Sequence, residues 1–162
     1  MMSHHIAQLN IARMRAPLDD PSMTDFVANL DPINTLGEEA PGFVWRLKDE
    51  DDNATSLRPF DAMTIVNMTV WESIDALFQY AYYSDHARVF RRRAEWFEKV
   101  SEAMIVLWWI PAGHIPSMDE AKARLTYLRQ NGPTPHAFTF KQRFTPAEML
   151  AYEAVNKKSE PG

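Results

Sequence analysis

The chain contains no cysteine. Disulfide staples, thiolate catalysis and cysteine-ligated zinc are therefore excluded. Clustered cations are also scarce. Lys and Arg number 17 against 22 Asp and Glu, giving a net charge of −5, and Arg91-Arg92-Arg93 is the sole basic block. Phosphate backbones demand more than that, so nucleic acid is not an expected partner. No apolar run approaches the roughly 20 residues of a membrane span. The longest, over 104–112, is about half that length. The opening MMSHHIAQLN has neither an apolar h-region nor a small-residue cleavage site. A cytoplasmic protein is expected, without membrane or nucleic-acid partners. No P-loop, dinucleotide glycine pattern, G-x-S-x-G elbow, internal repeat or low-complexity segment occurs.

Metal-ligand patterns are weak as well. Asp49, Asp51 and Asn53 have the D-x-D-x-N start of a calcium loop, but Ala54 replaces the sixth-position glycine and Phe60 the twelfth-position glutamate. A solvated turn is the better reading. His4 and His5 are adjacent on a strand and diverge. His114 and His136 lie in Pro/Gly-rich loops without an evident partner. No metal is expected.

What is present is an ordinary globular balance. Hydrophobic residues make up 46% and charged residues 24% of 162 residues, enough for one domain with a real core. Aromatics reach 12%, with tryptophan at 45, 71, 96, 108 and 109. So many indoles suggest an aromatic-lined cavity or an aromatic interface. Trp45, Trp71 and Trp96 are the cavity-wall candidates.

Residues 5–13 (HIAQLNIAR) alternate and predict a strand. Asp19-Asp20-Pro21 opens a helix over 21–30, which Pro32 interrupts before a further helical stretch to 39. Pro41-Gly42 ends it. Strands follow over 43–48 and 61–71, joined by a polar connection. Helices are predicted over 73–83 and 85–100, with Ser84 as N-cap between them. The apolar run 104–110 reads as a strand covered on both faces. Ser117 to Glu120 forms a capping box for a helix that stops at Asn131-Gly132-Pro133. A last strand is expected over 138–144, and the tail beyond Pro146 as helical at best, then frayed. This order gives an α+β, ferredoxin-like fold. It forms a single domain over 1–146 with a C-terminal tail over 147–162. Trp108 and Trp109 must point to opposite faces of their strand. Helices would cover one face and a second protomer the other, predicting a face-to-face homodimer.

The most informative segment is VWESIDALFQYAYYSDHARVFRRRAEWF. On its second helix Val89, Phe90, Trp96, Phe97 and Val100 form one stripe at helical spacing. His86 lies three and four residues before Val89 and Phe90 and extends that stripe, and Arg93 lies two turns further along it. A near-neutral imidazole suits proton transfer or axial ligation. Arg93 could hold an anionic or enolate oxygen. Gln8, Asn10 and Asn67 are amides on strands that should be neighbours, and an amide pointing into a cavity can orient a carbonyl.

HIAQLNIAR, RAPLDDP, FVANLDPIN, APGFVWRL, VNMTVWES, HARVFRRRAEWF and LWWIPAGH together resemble the DUF3291 family, over nearly the whole chain up to about Phe144. That family looks like a member of the dimeric α+β barrel group, which includes antibiotic-biosynthesis monooxygenases, small heme-degrading monooxygenases, isomerases and stress proteins. The resemblance implies the fold and the dimer more firmly than a chemistry. The small heme-degrading monooxygenases place an asparagine on the first strand, a tryptophan at the end of the third and a histidine on the following helix. Asn10, Trp71 and His86 occupy similar places, although the fifteen residues from Trp71 to His86 exceed that family's spacing by about a helical turn.

The expected function is a cofactor-independent, monooxygenase-like or isomerase-like enzyme acting on an apolar or aromatic small molecule between sheet and helices. His86 would take a proton, Asn10 and Arg93 would stabilise the oxyanion, and Trp45, Asn67, Trp71 and Trp96 would bind substrate. The alternatives are a heme-binding or heme-degrading protein with His86 as axial ligand, and a non-catalytic ligand-binding or stress-response dimer.

Overall fold

The computed structural model describes residues 3–49 and 54–159. Most of the acidic turn considered for calcium, residues 50–53, lies outside the described residues. Four strands, β1 (His4–Arg13), β2 (Phe43–Arg46), β3 (Thr64–Trp71) and β4 (Ile105–Pro111), form one antiparallel sheet in the order β2-β3-β1-β4. A short 3-10 turn (Pro21–Met23) and α1 (Thr24–Glu39) join β1 to β2. Three helices, α2 (Ile74–Tyr83), α3 (Asp85–Phe90) and α4 (Arg93–Trp96), join β3 to β4. This is the ferredoxin-like β-α-β-β-α-β order, with α5 (Met118–Asn131) and α6 (Pro146–Ser159) appended.

The register sorts side chains onto two faces, because successive strand residues alternate. Ile6, Gln8 and Asn10 pair with Trp71, Thr69 and Asn67 on one side of β1 and with Trp109, Leu107 and Ile105 on the other. These residues share the face covered by α1 to α4. Ala7, Leu9 and Ile11 share the opposite face with Val70, Met68 and Val66. That second face is aliphatic and meets Ala121, Leu125 and Leu128 of α5. The surface assigned above to a second protomer is thus already covered within the chain. Trp108 is fully buried there, and its Nε1–H donates to Glu120 of α5 at 2.8 Å. Glu120 was expected to complete a capping box; Ser117 Oγ does accept from its backbone N–H, but the carboxylate serves Trp108 and His114 instead.

Four further expectations are corrected. Pro32 does not interrupt α1, which runs on to Glu39; a proline forgoes one backbone donor, and the surrounding turns carry the helix past it. The helix over 85–100 breaks at 91–92, because the chain turns back so that Phe97 can bridge Met14 and Trp96 can bury against Phe26 at 5.5 Å. Residues 138–144 are not a strand. Phe138 alone bridges Leu107, and Phe138 and Phe144 pack edge to face beneath Trp109, whose Nε1–H donates to the Phe144 carbonyl. The segment after Pro146 is a docked helix, anchored by buried Met149 and by Glu153 against His136 and Arg124.

One glycine is obligatory. Gly42 turns α1 into β2 at φ +85°, and a Cβ there would lie 2.5 Å from the Ala76 Cβ.

Candidate functional site

Burial along the helix-covered face falls from one end to the other. Trp71 is fully buried and Gln8 and Thr69 nearly so, while Asn10 is half-buried and Asn67 exposed. Between this floor and the helices lies a cavity of about 690 Å³. The Trp71 row lies four residue steps along the strand from the Asn67 row, so the floor is about 13 Å long. That volume and length match a molecule of two or three rings.

The closed end holds a directed hydrogen-bond chain. Trp71 Nε1–H donates to Thr69 Oγ1 at 2.9 Å, and Thr69 Oγ1–H donates to Gln8 Oε1 at 2.8 Å. An indole N–H only donates, so the threonine proton must go to the glutamine oxygen. Among the described residues the two N–H groups of the Gln8 amide nitrogen have no partner, on a side chain 5% exposed that lines the cavity. Beside it, Arg46 is buried and held by Glu38 of α1 at 2.6 Å.

The helical wall is a stack of planar groups. Tyr80 stacks on Trp71 with centroids 5.0 Å apart and an interplanar angle of 26°. His86 meets Tyr80 at 4.9 Å, Phe90 stacks on His86 at 6.1 Å and 19°, and the Arg93 guanidinium lies 4.2 Å over the Phe90 ring. Sequence dictates this geometry through two serine caps. Ser73 Oγ accepts from Ala76 N–H to start α2, and Ser84 Oγ accepts from His86 N–H to start α3. The break at Ser84 turns His86 back towards α2, where its Nδ1 lies 3.0 Å from the Ala81 carbonyl oxygen.

That contact fixes the imidazole's tautomer. A carbonyl accepts only, so Nδ1 carries the proton and Nε2 is left with its lone pair. Burial pushes the His86 pKa below the ordinary imidazole value, against a smaller opposing effect of the Ala81 carbonyl. Neutral His86 thus lines the cavity with a free acceptor nitrogen. Burial drives Tyr80 the other way, well above the usual phenol range, and its hydroxyl donates to the Ile33 carbonyl at 3.0 Å. Tyr80 is a neutral wall, not a base.

The structure brings Asn10, Asn67, Trp71, His86 and Arg93 to this cavity. Trp96 is fully enclosed and lines a smaller adjoining cavity of about 180 Å³ that shares Asn10, Asn67 and His86. Trp45 is not a wall of either. It pairs with Val70 and packs into the aliphatic core on the other face of the sheet. Arg93 does not continue a buried stripe from His86, since the helix breaks between them. It is exposed at the mouth, and its guanidinium donates to the Phe90 carbonyl at 3.1 Å. Reasoning from sequence missed Thr69, Tyr80, Arg46, Phe90 and Arg15. Tyr80, three residues after Leu77 on α2, had a helical-spacing signal that could have found it.

The fold class is ferredoxin-like α+β, with a closed aliphatic face and an open polar one. The chain belongs to the DUF3291 family, a domain of unknown function whose model matches residues 5–154. No curated protein matches it. Solved structures with similar folds include the NE2512 protein of unknown function from Nitrosomonas europaea, at 12% identity and a TM-score of 0.43 over 72% of this chain and 99% of that one. A Chloroflexus aurantiacus protein provisionally named an antibiotic biosynthesis monooxygenase aligns at 10% identity and a TM-score of 0.43, over 70% and 98%. MupZ from Pseudomonas fluorescens aligns at 11% identity and a TM-score of 0.40, over 90% and 97%. Among the described residues no helix is long and apolar enough to cross a membrane.

Proposed function

We propose that the cavity binds a flat aromatic or apolar molecule bearing a hydroxyl or carbonyl oxygen, and that His86 removes a proton from it. The observation that carries this reading is the hydrogen bond from His86 Nδ1–H to the Ala81 carbonyl. It leaves a basic Nε2 on a neutral, cavity-lining ring. The proton moves from a substrate O–H or activated C–H to Nε2, and the electron pair stays on the substrate as an enolate or phenolate. The Gln8 amide N–H groups are the donors for that oxygen, preset by the Trp71–Thr69–Gln8 chain. Asn10 and Asn67, paired across β1 and β3, offer further amides nearer the mouth. Reprotonation at another carbon gives isomerisation, and capture of the carbanion by dioxygen gives oxygenation.

Substitution His86→Ala tests the reading against a panel of two-ring hydroxyaromatics and 1,3-dicarbonyls. Oxygen uptake and C–H/D exchange in D₂O are the readouts. Removing a general base lowers turnover by about 10²- to 10⁴-fold, with the melting temperature nearly unchanged. Unchanged turnover with a large loss of stability would make His86 a core residue, and no turnover of the panel by the native protein would make it a non-catalytic binder.

The same free Nε2 supports a second reading, in which His86 would hold a heme. The donor set fits that group: a ligating nitrogen whose partner N–H is fixed by a carbonyl, with cations at the mouth. Heme bound there would supply redox chemistry at its iron. Hemin titration decides it: a Soret shift present in the native protein and absent in His86→Ala supports it, and no shift sinks it.

A further inference from the structure

The cavity is cationic in an anionic protein. The whole chain carries −5, yet the charged residues lining this cavity are Arg15, Arg46, Arg91, Arg93, Lys99 and a single acid, Glu98. Two of these six are already matched. Arg46 is buried against Glu38 at 2.6 Å, and Glu98 lies 4.0 Å from Arg13. Among the described residues, none of Arg15, Arg91, Arg93 and Lys99 forms an ion pair. By contrast Arg92, the middle member of the basic run, pairs with both Asp25 and Glu95 and does not line the cavity. The run is therefore divided by function: one arginine is fastened to neighbouring carboxylates, and its two neighbours are left for the cavity.

The chain holds these cations at one end. Arg15 N–H donates to the Trp96 carbonyl, and Arg15 Nε–H donates to the carbonyl of Ala94, the residue after Arg93. Arg93 itself is seated on the Phe90 ring at the outer end of the planar stack. Both guanidiniums thus have a carbonyl anchor and keep further N–H donors for a ligand. At the opposite, closed end the unpartnered Gln8 amide is also a donor.

Resting on the small-molecule reading above, we infer that the ligand is an amphipathic anion. Its flat body lies along the Trp71–Tyr80–His86–Phe90 wall, and its carboxylate, sulfonate or phosphate sits at the mouth among Arg15, Arg93, Arg91 and Lys99. An anion there recovers attraction that no carboxylate among the described residues supplies through an ion pair.

Two fluorescent probes of nearly equal shape test it on the full-length protein. One is 1-anilinonaphthalene-8-sulfonate, an anion; the other is N-phenyl-1-naphthylamine, which is uncharged. The sulfonate should bind with one-to-one stoichiometry and at least about 10-fold more tightly. The double substitution Arg93→Gln with Lys99→Gln removes two exposed, unpaired charges. It should lower sulfonate affinity about 10-fold and leave the neutral probe unchanged, while Arg93→Lys retains most of the preference. Equal binding of the two probes overturns the inference and leaves the small-molecule cavity standing. A sulfonate preference that survives the double substitution places the anion elsewhere and also overturns it. If neither probe binds, the cavity reading fails and the inference falls with it. Melting curves of each variant show that the fold is intact.

Discussion

The two faces of one sheet are built from the same strands and do opposite work. Gln8 and Leu9 are neighbours in sequence, yet one looks into a cavity and the other into a solid core. On the α5 side every residue in the central rows is apolar, and the Trp108 indole N–H is met by Glu120. On the α1–α4 side the central row is Gln8, Thr69, Asn10 and Asn67, and the space above it stays open. An apolar row can be closed by any helix with a matching stripe. An amide row in a dry core would leave unpaired groups, so it persists only where water or a ligand reaches it. That is the physical reason for which the proposed site lies on the polar face.

The largest losses of stability are expected on the closed side. Trp108→Ala should cost about 3–5 kcal/mol, since it empties a core site and strands Glu120. Chemical denaturation measures it, and binding at the opposite face should persist in the fraction that stays folded. Leu9→Ala should cost about 2–5 kcal/mol by the same route. Its neighbour responds differently. Gln8→Leu should cost only about 1–3 kcal/mol, because Thr69 loses its acceptor, but it should weaken binding of any ligand whose oxygen sits at the closed end. Calorimetric titration against Leu9→Ala separates the two effects. Trp71→Phe should cost about 1 kcal/mol through the lost N–H donor, and it should loosen the orientation of Gln8.

The smallest effect is on pH dependence. Burial lowers the His86 pKa in the folded chain, so below pH 6.5 the unfolded chain binds the proton more readily. The stability due to this group is complete above that pH and is lost as the pH falls towards the folded-state value. Burial, with Arg124 adding to it, lowers His136 in the same direction. Melting temperature should therefore decline between pH 7 and 5. His86→Gln should make that decline shallower without abolishing it, because His136 remains.

Much of this division was legible in the residues. The alternation of HIAQLNIAR set Gln8 and Asn10 apart from Leu9 and Ile11, and Asn67 stood out in an otherwise apolar strand. Ser84 announced the start of α3, and His86 two residues later follows from that cap. What could not be read was whatever depends on distant partners. No glycine or proline marks the break at 91–92; it arises because Trp96 and Phe97 are drawn to Phe26 and Met14. The alternation at 138–144 mimics a strand, but only Phe138 reaches the sheet edge, and its neighbours fold beneath Trp109. Trp45 could be placed on a strand but not on a face, because the β2 register shifts between Phe43 and Trp45. The cover of the aliphatic face was hidden for a similar reason: nothing in MDEAKARLTYLRQN alone says which surface its three buried positions will cover.

The claim on which the site rests is that His86 is a neutral Nδ1–H imidazole with its Nε2 lone pair free in the cavity. Long-range ¹H–¹⁵N NMR of the ring nitrogens, followed from pH 8 to pH 5, tests it directly. The expected result is an Nδ1–H tautomer at neutral pH, titration below pH 6.5, and an Nε2 resonance that moves when the anionic probe binds. An Nε2–H tautomer, or a titration midpoint above 6.5, would contradict it.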